Sequence, residues 1–260
     1  MLRPRITPCL LVHKGGLVKT IGFKTPKYVG DPLNAVKIFN EKEADELVVL
    51  DIDATVNNAE PDYRMIANLA AECRMPLCYG GGIKTPAQAK RIISLGVEKV
   101  AISFAAVEHP ELITQIADEI GRQSVVVVLD VKKRLFSKDY DVFTRNGRTN
   151  TKRSVFDLVA EAEKLGTGEL VINSIDLDGA MTGYDLALAE KIRQAVNIPI
   201  TILGGAGSLD DIEVLIRTCG VIGASAGSLF VFKGMYKAVL INYPNPDERD
   251  RLIRESLSVA

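Results

Sequence analysis

The sequence predicts a single (β/α)8 barrel, an α/β TIM-barrel fold with a two-fold half-barrel repeat, and three observations carry that prediction. Short apolar runs alternate with amphipathic stretches about eight times along the 260 residues, the pattern of strands crossed by helices. Gly or Pro stands at most of the joints, and proline often opens a helix or a strand. A Gly-rich strand end also occurs twice, as YGGGIKT and LGGAG, with Gly80 and Gly81 lying 124 positions before Gly204 and Gly205. A doubly wound sheet is the competing fold, but two half-length repeats of four units each suit closure better. The expected organisation is one domain over 1–260, with half-barrels at approximately 1–122 and 123–260 and no linker between them.

Taken in order, strands are expected at 5–12, 46–52, 76–79, 99–103, 124–130, 169–173, 199–203 and 221–225. Each is a short apolar, often β-branched run bounded by turn residues. Helices are expected at 32–43, 62–72, 86–95, 110–119, 154–165, 184–196, 209–217 and 233–242, where apolar residues fall at helical spacing. Three segments do not fit the alternation. Residues 13–31 form a long, basic, Gly-rich stretch that reads as a lid loop. Residues 132–152 contain YDVFTRNGRTN, a hairpin turning at Asn146-Gly147. The charged tail, 244–260, is expected to pack as a short helix.

Composition narrows the function classes. At 47% hydrophobic the chain can bury a full core, and a net charge of −1 without a basic stripe argues against nucleic acid. No apolar run reaches membrane-spanning length, and the N-terminus lacks a signal-peptide pattern, so a cytoplasmic location is expected. Cys9, Cys73, Cys78 and Cys219 have no metal-ligand spacing and read as free thiols. With only His13 and His109, both read as surface residues, no metal site or histidine-based triad is expected. No cofactor is expected either.

The two Gly-rich ends carry the first functional signal. Backbone N–H groups presented by glycines beside a helix start attract anions. The expected phosphate-binding set is Gly81, Gly82 and Ser103 in one half, with Gly204, Gly205, Gly227 and Ser228 in the other; tight strand-to-helix turns are the bland alternative. A phosphorylated small molecule is the implied ligand.

Strand parity carries the second signal. On the fifth strand Val126, Val128 and Asp130 share one face, and a carboxylate closing a run of valines is costly to bury without a purpose. Asp130 lies where barrel catalysis occurs. Its counterpart 119 positions earlier is Leu11, which cannot move a proton. At the opposite end, the same parity brings Arg5, Glu46, Lys99 and Glu169 to strand starts. They could pair into a ring at the barrel floor, because each alone is expensive to desolvate; ordinary surface charge at strand starts is the bland alternative.

The pieces ITPCL, ADELVVLDIDA, YGGGIKT, KVAISFAAV, VVVVLDVKK, the NGR hairpin, GELVINSIDLDG, GYDL, LGGAG and ASAGSLF, in this order, resemble the cyclase subunit of imidazole glycerol phosphate synthase over essentially the whole chain. The resemblance implies a (β/α)8 barrel paired with a glutaminase subunit in a heterodimer. Ammonia enters at the floor and reacts at the mouth with a bis-phosphorylated ribonucleotide. Two aspartates do the acid/base work. One corresponds to Asp130; the other falls in a CLD motif, where this chain reads Cys9-Leu10-Leu11. The family usually has Asn-Thr or Asn-Ser where Ser103-Phe104 stands here, and a threonine where Ala180 follows Gly179. The charged gate is present in all four members, Arg5, Glu46, Lys99 and Glu169, and Glu98 keeps an acid at the glutaminase contact.

A conduit kept, a catalytic acid lost and substrate loops altered together suggest a paralogue that delivers ammonia to a different acceptor. Such paralogues occur in surface-polysaccharide gene sets, where a third, separate enzyme amidates a sugar. The alternative is an active cyclase of histidine biosynthesis, with water, Asp51 or Asp176 replacing Leu11. A phosphosugar isomerase of the same lineage would need two carboxylates at the mouth and fits least.

Overall fold

The computed structural model describes residues 3–135, 137 and 139–258. Eight parallel strands close on themselves: β1 (Arg5–His13), β2 (Leu47–Asp51), β3 (Leu77–Gly80), β4 (Lys99–Ile102), β5 (Val125–Lys133), β6 (Glu169–Ser174), β7 (Ile200–Leu203) and β8 (Gly223–Ala226). Each pairs with its successor, and β8 returns to β1 with Arg5 opposite Gly223 and Thr7 opposite Ser225. Eight main helices cover the outside: α1 (Pro32–Glu41), α2 (Tyr63–Glu72), α3 (Pro86–Ser94), α4 (Glu111–Ile120), α5 (Val155–Leu165), α6 (Leu186–Ala195), α7 (Leu209–Cys219) and α8 (Pro246–Ser258).

Local chemistry places the helix ends. Asp31 caps α1 ahead of Pro32, and Thr85 caps α3 ahead of Pro86, each side chain accepting from a free first-turn N–H. Ser208 and Asp211 form a reciprocal capping box on α7, and Gly166 ends α5 in the left-handed region.

A period of two along the strands divides the apolar residues into two cores. Ile6, Leu10, Val49, Val100, Val127, Leu170 and Ile202 face outward into the layer beneath the helices. Cys9, Val48, Cys78, Ala101, Val126, Val128, Val171 and Leu203 face inward and fill the barrel, with Leu11 and Leu50 packed above them.

The irregular segments differ from expectation in two places. Residues 13–31 are not a loop: Gly16–Ile21 and Lys24–Gly30 form an antiparallel hairpin continuous with β1, Leu11 standing opposite Val18. Leu17, Val18, Lys19 and Thr20 are all buried, Leu17 in the outer core and Lys19 and Thr20 at the mouth, which a mobile loop could not do. Residues 233–242 are not a helix either. Gly234 turns with φ +73°, Phe232–Lys233 pairs with Ala238–Val239, and Met235 and Tyr236 stand 85% and 88% exposed. No apolar stripe is buried there to support a helix, and the tail supplies the eighth helix instead, Leu252 and Ile253 anchoring α8. The hairpin turning at Asn146-Gly147 forms as expected, from Tyr140–Thr144 and Thr149–Ser154.

Close packing at the floor yields a stability prediction. A Cβ on Gly223 would sit 1.9 Å from Thr201 Oγ1, and that hydroxyl donates to Glu169 at 2.7 Å. Gly223→Ala should therefore cost about 2 kcal/mol, read from urea unfolding midpoints. A loss under about 0.5 kcal/mol would mean that Thr201 swings aside freely.

Candidate functional site

Strand parity delivers two separate constellations, one at each end of the barrel. At the floor, Arg5, Glu46, Lys99 and Glu169 close a ring of alternating charge. Arg5 donates to Glu46 at 2.5 Å and to Glu169 at 2.6 Å; Lys99 donates to Glu46 at 2.7 Å and to Glu169 at 2.9 Å. Both carboxylates are buried, at 4% and 6% exposure, while the cations retain some access to solvent.

Burial alone would raise the pKa of Glu169, but the attraction of Arg5 and Lys99 outweighs it and holds the group down at about 2. Burial, then the neighbouring Glu169 charge, push Glu46 upward instead. Glu98 is exposed beside the ring on the same face. A second network lies at the starts of β1 and β2: Asp45 receives Arg3 at 2.7 Å and Arg249 at 3.3 Å, and Tyr243 donates to Ile6 O at 2.8 Å.

At the mouth a cavity of about 170 Å³ lies over the inner core. Gly81, Gly82, Ser103, Gly204, Gly205, Gly227 and Ser228 all line it, together with Leu11 and Asp130. Glycine is required at Gly81 and Gly205. Their φ angles are +127° and +113°, and a Cβ would lie 2.5 Å from Asp51 O and 2.1 Å from Gly183 O. Ala180 does not line the cavity, although its neighbour Gly179 does.

Asp130 sits at the cavity floor and accepts from Asn173 Nδ2 at 2.9 Å. Burial pushes its carboxyl up to about 7, against the stabilising Asn173 hydrogen bond and helped by the nearby Asp178 charge. Leu11 lines the same cavity as Asp130 but offers no second proton-transfer group. Asp51 also lines it, its Oδ1 accepting from the N–H groups of Asp53 and Ala54. Asp176 is elsewhere, accepting from Lys133 N at 3.0 Å.

Several mouth residues had no sequence expectation attached. Lys19, buried on the hairpin after β1, donates to Cys9 O and is held below its ordinary pKa by burial. Asp178 accepts from Thr20 Oγ1 at 2.6 Å and from Phe23 N at 3.0 Å, which ties that hairpin across the cavity. Asn146 donates to Ile52 O at 2.8 Å, tying the second hairpin, and Arg145 beside it lines the cavity. The available signal was the alternation around Lys19, hidden by reading the stretch as a loop. His13 was read as a surface residue, but it is only partly exposed and its Nδ1 lies 2.7 Å from Asp53 Oδ1. His109 is exposed.

The four cysteines are free thiols. Among the described residues no cluster has the composition of a metal site, and no helix is long and apolar enough to cross a membrane.

Residues 5–237 match the family model described as histidine biosynthesis protein. Among curated relatives, the chain is 58% identical over 253 residues to a protein of Vibrio vulnificus (strain YJ016), provisionally named an imidazole glycerol phosphate synthase subunit, covering 97% of each chain. It is 57% identical over 252 residues to a similarly and provisionally named protein of Leptospira interrogans, covering 97% of this chain and 99% of the relative. A protein named imidazole glycerol phosphate synthase subunit HisF, from Lactococcus lactis subsp. lactis (strain IL1403), is 41% identical over 230 residues, 88% of this chain and 89% of its own.

Asp130 supplies a pH prediction. Its folded pKa of about 7 lies above the ordinary 3.8, so between those values the folded chain keeps a proton that the unfolded chain has lost. Stability therefore falls as pH rises from about 4 to about 7 and levels off above. Asp130→Asn removes that dependence. It should stabilise the protein by roughly 1–3 kcal/mol at pH 8 and progressively less toward pH 4, in urea titrations at each pH. Equal gains at both pH values would place the Asp130 pKa in the ordinary range.

Proposed function

The chain belongs to the imidazole glycerol phosphate synthase cyclase-subunit family of histidine biosynthesis proteins, and from that premise we propose that it is an ammonia-channelling subunit of a glutamine-dependent amidotransferase. In this reading a glutaminase docks on the floor beside Glu98, ammonia passes the ring of Arg5, Glu46, Lys99 and Glu169, and a phosphorylated ligand occupies the mouth. The acceptor is a sugar of surface-polysaccharide biosynthesis, amidated by a third enzyme in the cytoplasm.

One observation carries the proposal: the floor ring is closed and fully paired, while Leu11 stands in the cavity that holds Asp130. A buried ring of ion pairs is not a cheap way to stabilise a barrel floor, since well-packed apolar side chains do as well or better. Its presence below a mouth with no paired carboxylate at Leu11 fits a floor that has a task of its own. Ammonia is neutral, and the inner column of Val48, Cys78, Val126, Val171 and Val128 disfavours ammonium. Thr7 adds a buried hydroxyl with no partner among the described residues; it shares its strand face with Arg5 and Cys9 and suits a small hydrogen-bonding traveller. Lys99 and Arg5 reach solvent at the floor, so one of them can swing aside without unfolding anything.

A second reading, a working cyclase, is favoured by Asp51, which lines the same cavity. Against it, the Oδ1 of Asp51 is engaged by two backbone N–H groups. Assay with the family's ribonucleotide substrate and ammonium separates the two. Loss of one essential proton-transfer group costs about 10²–10⁴ in rate, so the chain should turn over at least about 10²-fold more slowly than a Lactococcus relative, and Leu11→Asp should recover part of that loss. Turnover equal to the relative would establish the cyclase reading instead.

The conduit is tested in complex with the glutaminase encoded nearest to it. Lys99→Ala and Arg5→Ala should each change the ratio of glutamate formed to acceptor amidated, with circular dichroism and chain association intact. An unchanged ratio in both variants, or no association with a glutaminase, would remove the conduit.

A further inference from the structure

We propose that Arg145, seated on the ring of Phe104, is a charged ligand of the anion subsite at Gly81, Gly82 and Ser103, and that this subsite takes a phosphate monoester. The inference rests on reading those backbone groups as an anion cradle and goes beyond it by naming a side chain that sets its affinity. Lys84 of the same cavity donates to Asn58, and the Gly82 N–H donates to Thr55 Oγ1 at 3.3 Å.

The placement of Arg145 begins in the backbone. Arg145, Asn146 and Gly147 are consecutive residues with positive φ, at +53°, +56° and +71°. Left-handed backbone at a non-glycine residue carries a strain cost, and here it is held by the Asn146 hydrogen bond to Ile52 O across the mouth, 94 residues away. The hairpin tip is therefore fixed over the cavity rather than left in solvent. Arg145 carries its guanidinium to 4.7 Å from the centre of the Phe104 ring, within the range of a cation–π contact. Phe104 directly follows Ser103 at the end of β4, next to the β3 end that presents Gly81 and Gly82. All five residues line one cavity.

Charge accounting at the mouth leaves this guanidinium available. Among the described residues no carboxylate forms an ion pair with Arg145, although Asp51, Asp130 and Asp178 share the cavity. Asp51 is engaged by the N–H groups of Asp53 and Ala54, and Asp178 by Thr20 and Phe23. Asp130 accepts from Asn173. A guanidinium on an aromatic platform keeps its edge N–H groups directed outward and loses little freedom on binding, which suits bidentate recognition of phosphate oxygens. Phe104 thus supplies no polar contact of its own but orients the residue that does.

Titration of the full-length protein with inorganic phosphate, followed by amide NMR shifts, reads the two cradles separately. Arg145→Asn, at an exposed position and with a residue that tolerates positive φ, should weaken the site reported by Gly82 and Ser103 by about tenfold. Phe104→Leu, which keeps the apolar bulk and removes the ring face, should weaken it by about threefold. Gly205 and Ser228 should report an unchanged dissociation constant in both variants. If phosphate binds at Gly82 and Ser103 with the same affinity in Arg145→Asn as in the parent, the role of Arg145 is overturned while the cradle stands. If phosphate moves neither set of amides in the parent, the cradle reading fails and the inference falls with it.

Discussion

Glu169 ties the barrel floor together. Its carboxylate takes hydrogen bonds from Arg5 on β1, Lys99 on β4 and Thr201 on β7, so a single buried group links strands that do not pair with one another. The arrangement holds only because the charges alternate: each cation lies between Glu46 and Glu169, and each carboxylate between two cations. Removing one cation would leave each buried carboxylate with a single cationic partner in place of two, lowering stability without stripping either of compensation. The Gly223 gap beside Thr201 leaves room for the hydroxyl that completes the shell of Glu169.

Above the ring, the barrel changes character in layers. Beyond Thr7 the inner core is apolar up to Leu11 and Leu50, and polarity returns at the mouth with Asp130, Asn173, Lys19, Asp51, Asp178 and the glycine-lined rim. This separation explains how one end of the fold can change chemistry without disturbing the other. Leu11 packs against the inner core as a hydrophobic residue, so a carboxylate there would have faced the same desolvation that raises Asp130. A leucine at this position carries no charge to desolvate and offers no proton-transfer group.

Much of this was legible in the sequence because a strand's period of two is unforgiving. Once Val126, Val128 and Asp130 are put on one face, the inward identity of Cys9, Leu11, Val48 and Val171 follows, and the charges at strand starts must meet. The glycine pairs were legible for a similar reason, since close backbone approach excludes side chains at Gly81 and Gly205. What escaped were features decided by tertiary packing. The segment 233–242 has helix-compatible residues but no partner to bury against, and the hairpin of Gly16–Ile21, although it continues directly from β1, is held down by Asp178, 158 residues from Thr20. Arg145 takes its place over the mouth from the Asn146 contact to Ile52, 94 residues away, which no local pattern marks, whereas Lys19 was marked by the alternation around it and missed by reading the stretch as a loop.

The apolar column also divides proton traffic. If only neutral ammonia crosses it, every proton generated by glutamine hydrolysis stays on the floor side. Ammonia handed on from the mouth then has to exchange any proton on that side, with no help from below. Asp130, whose carboxyl is poised near neutrality by burial, is the group on that side able to receive it.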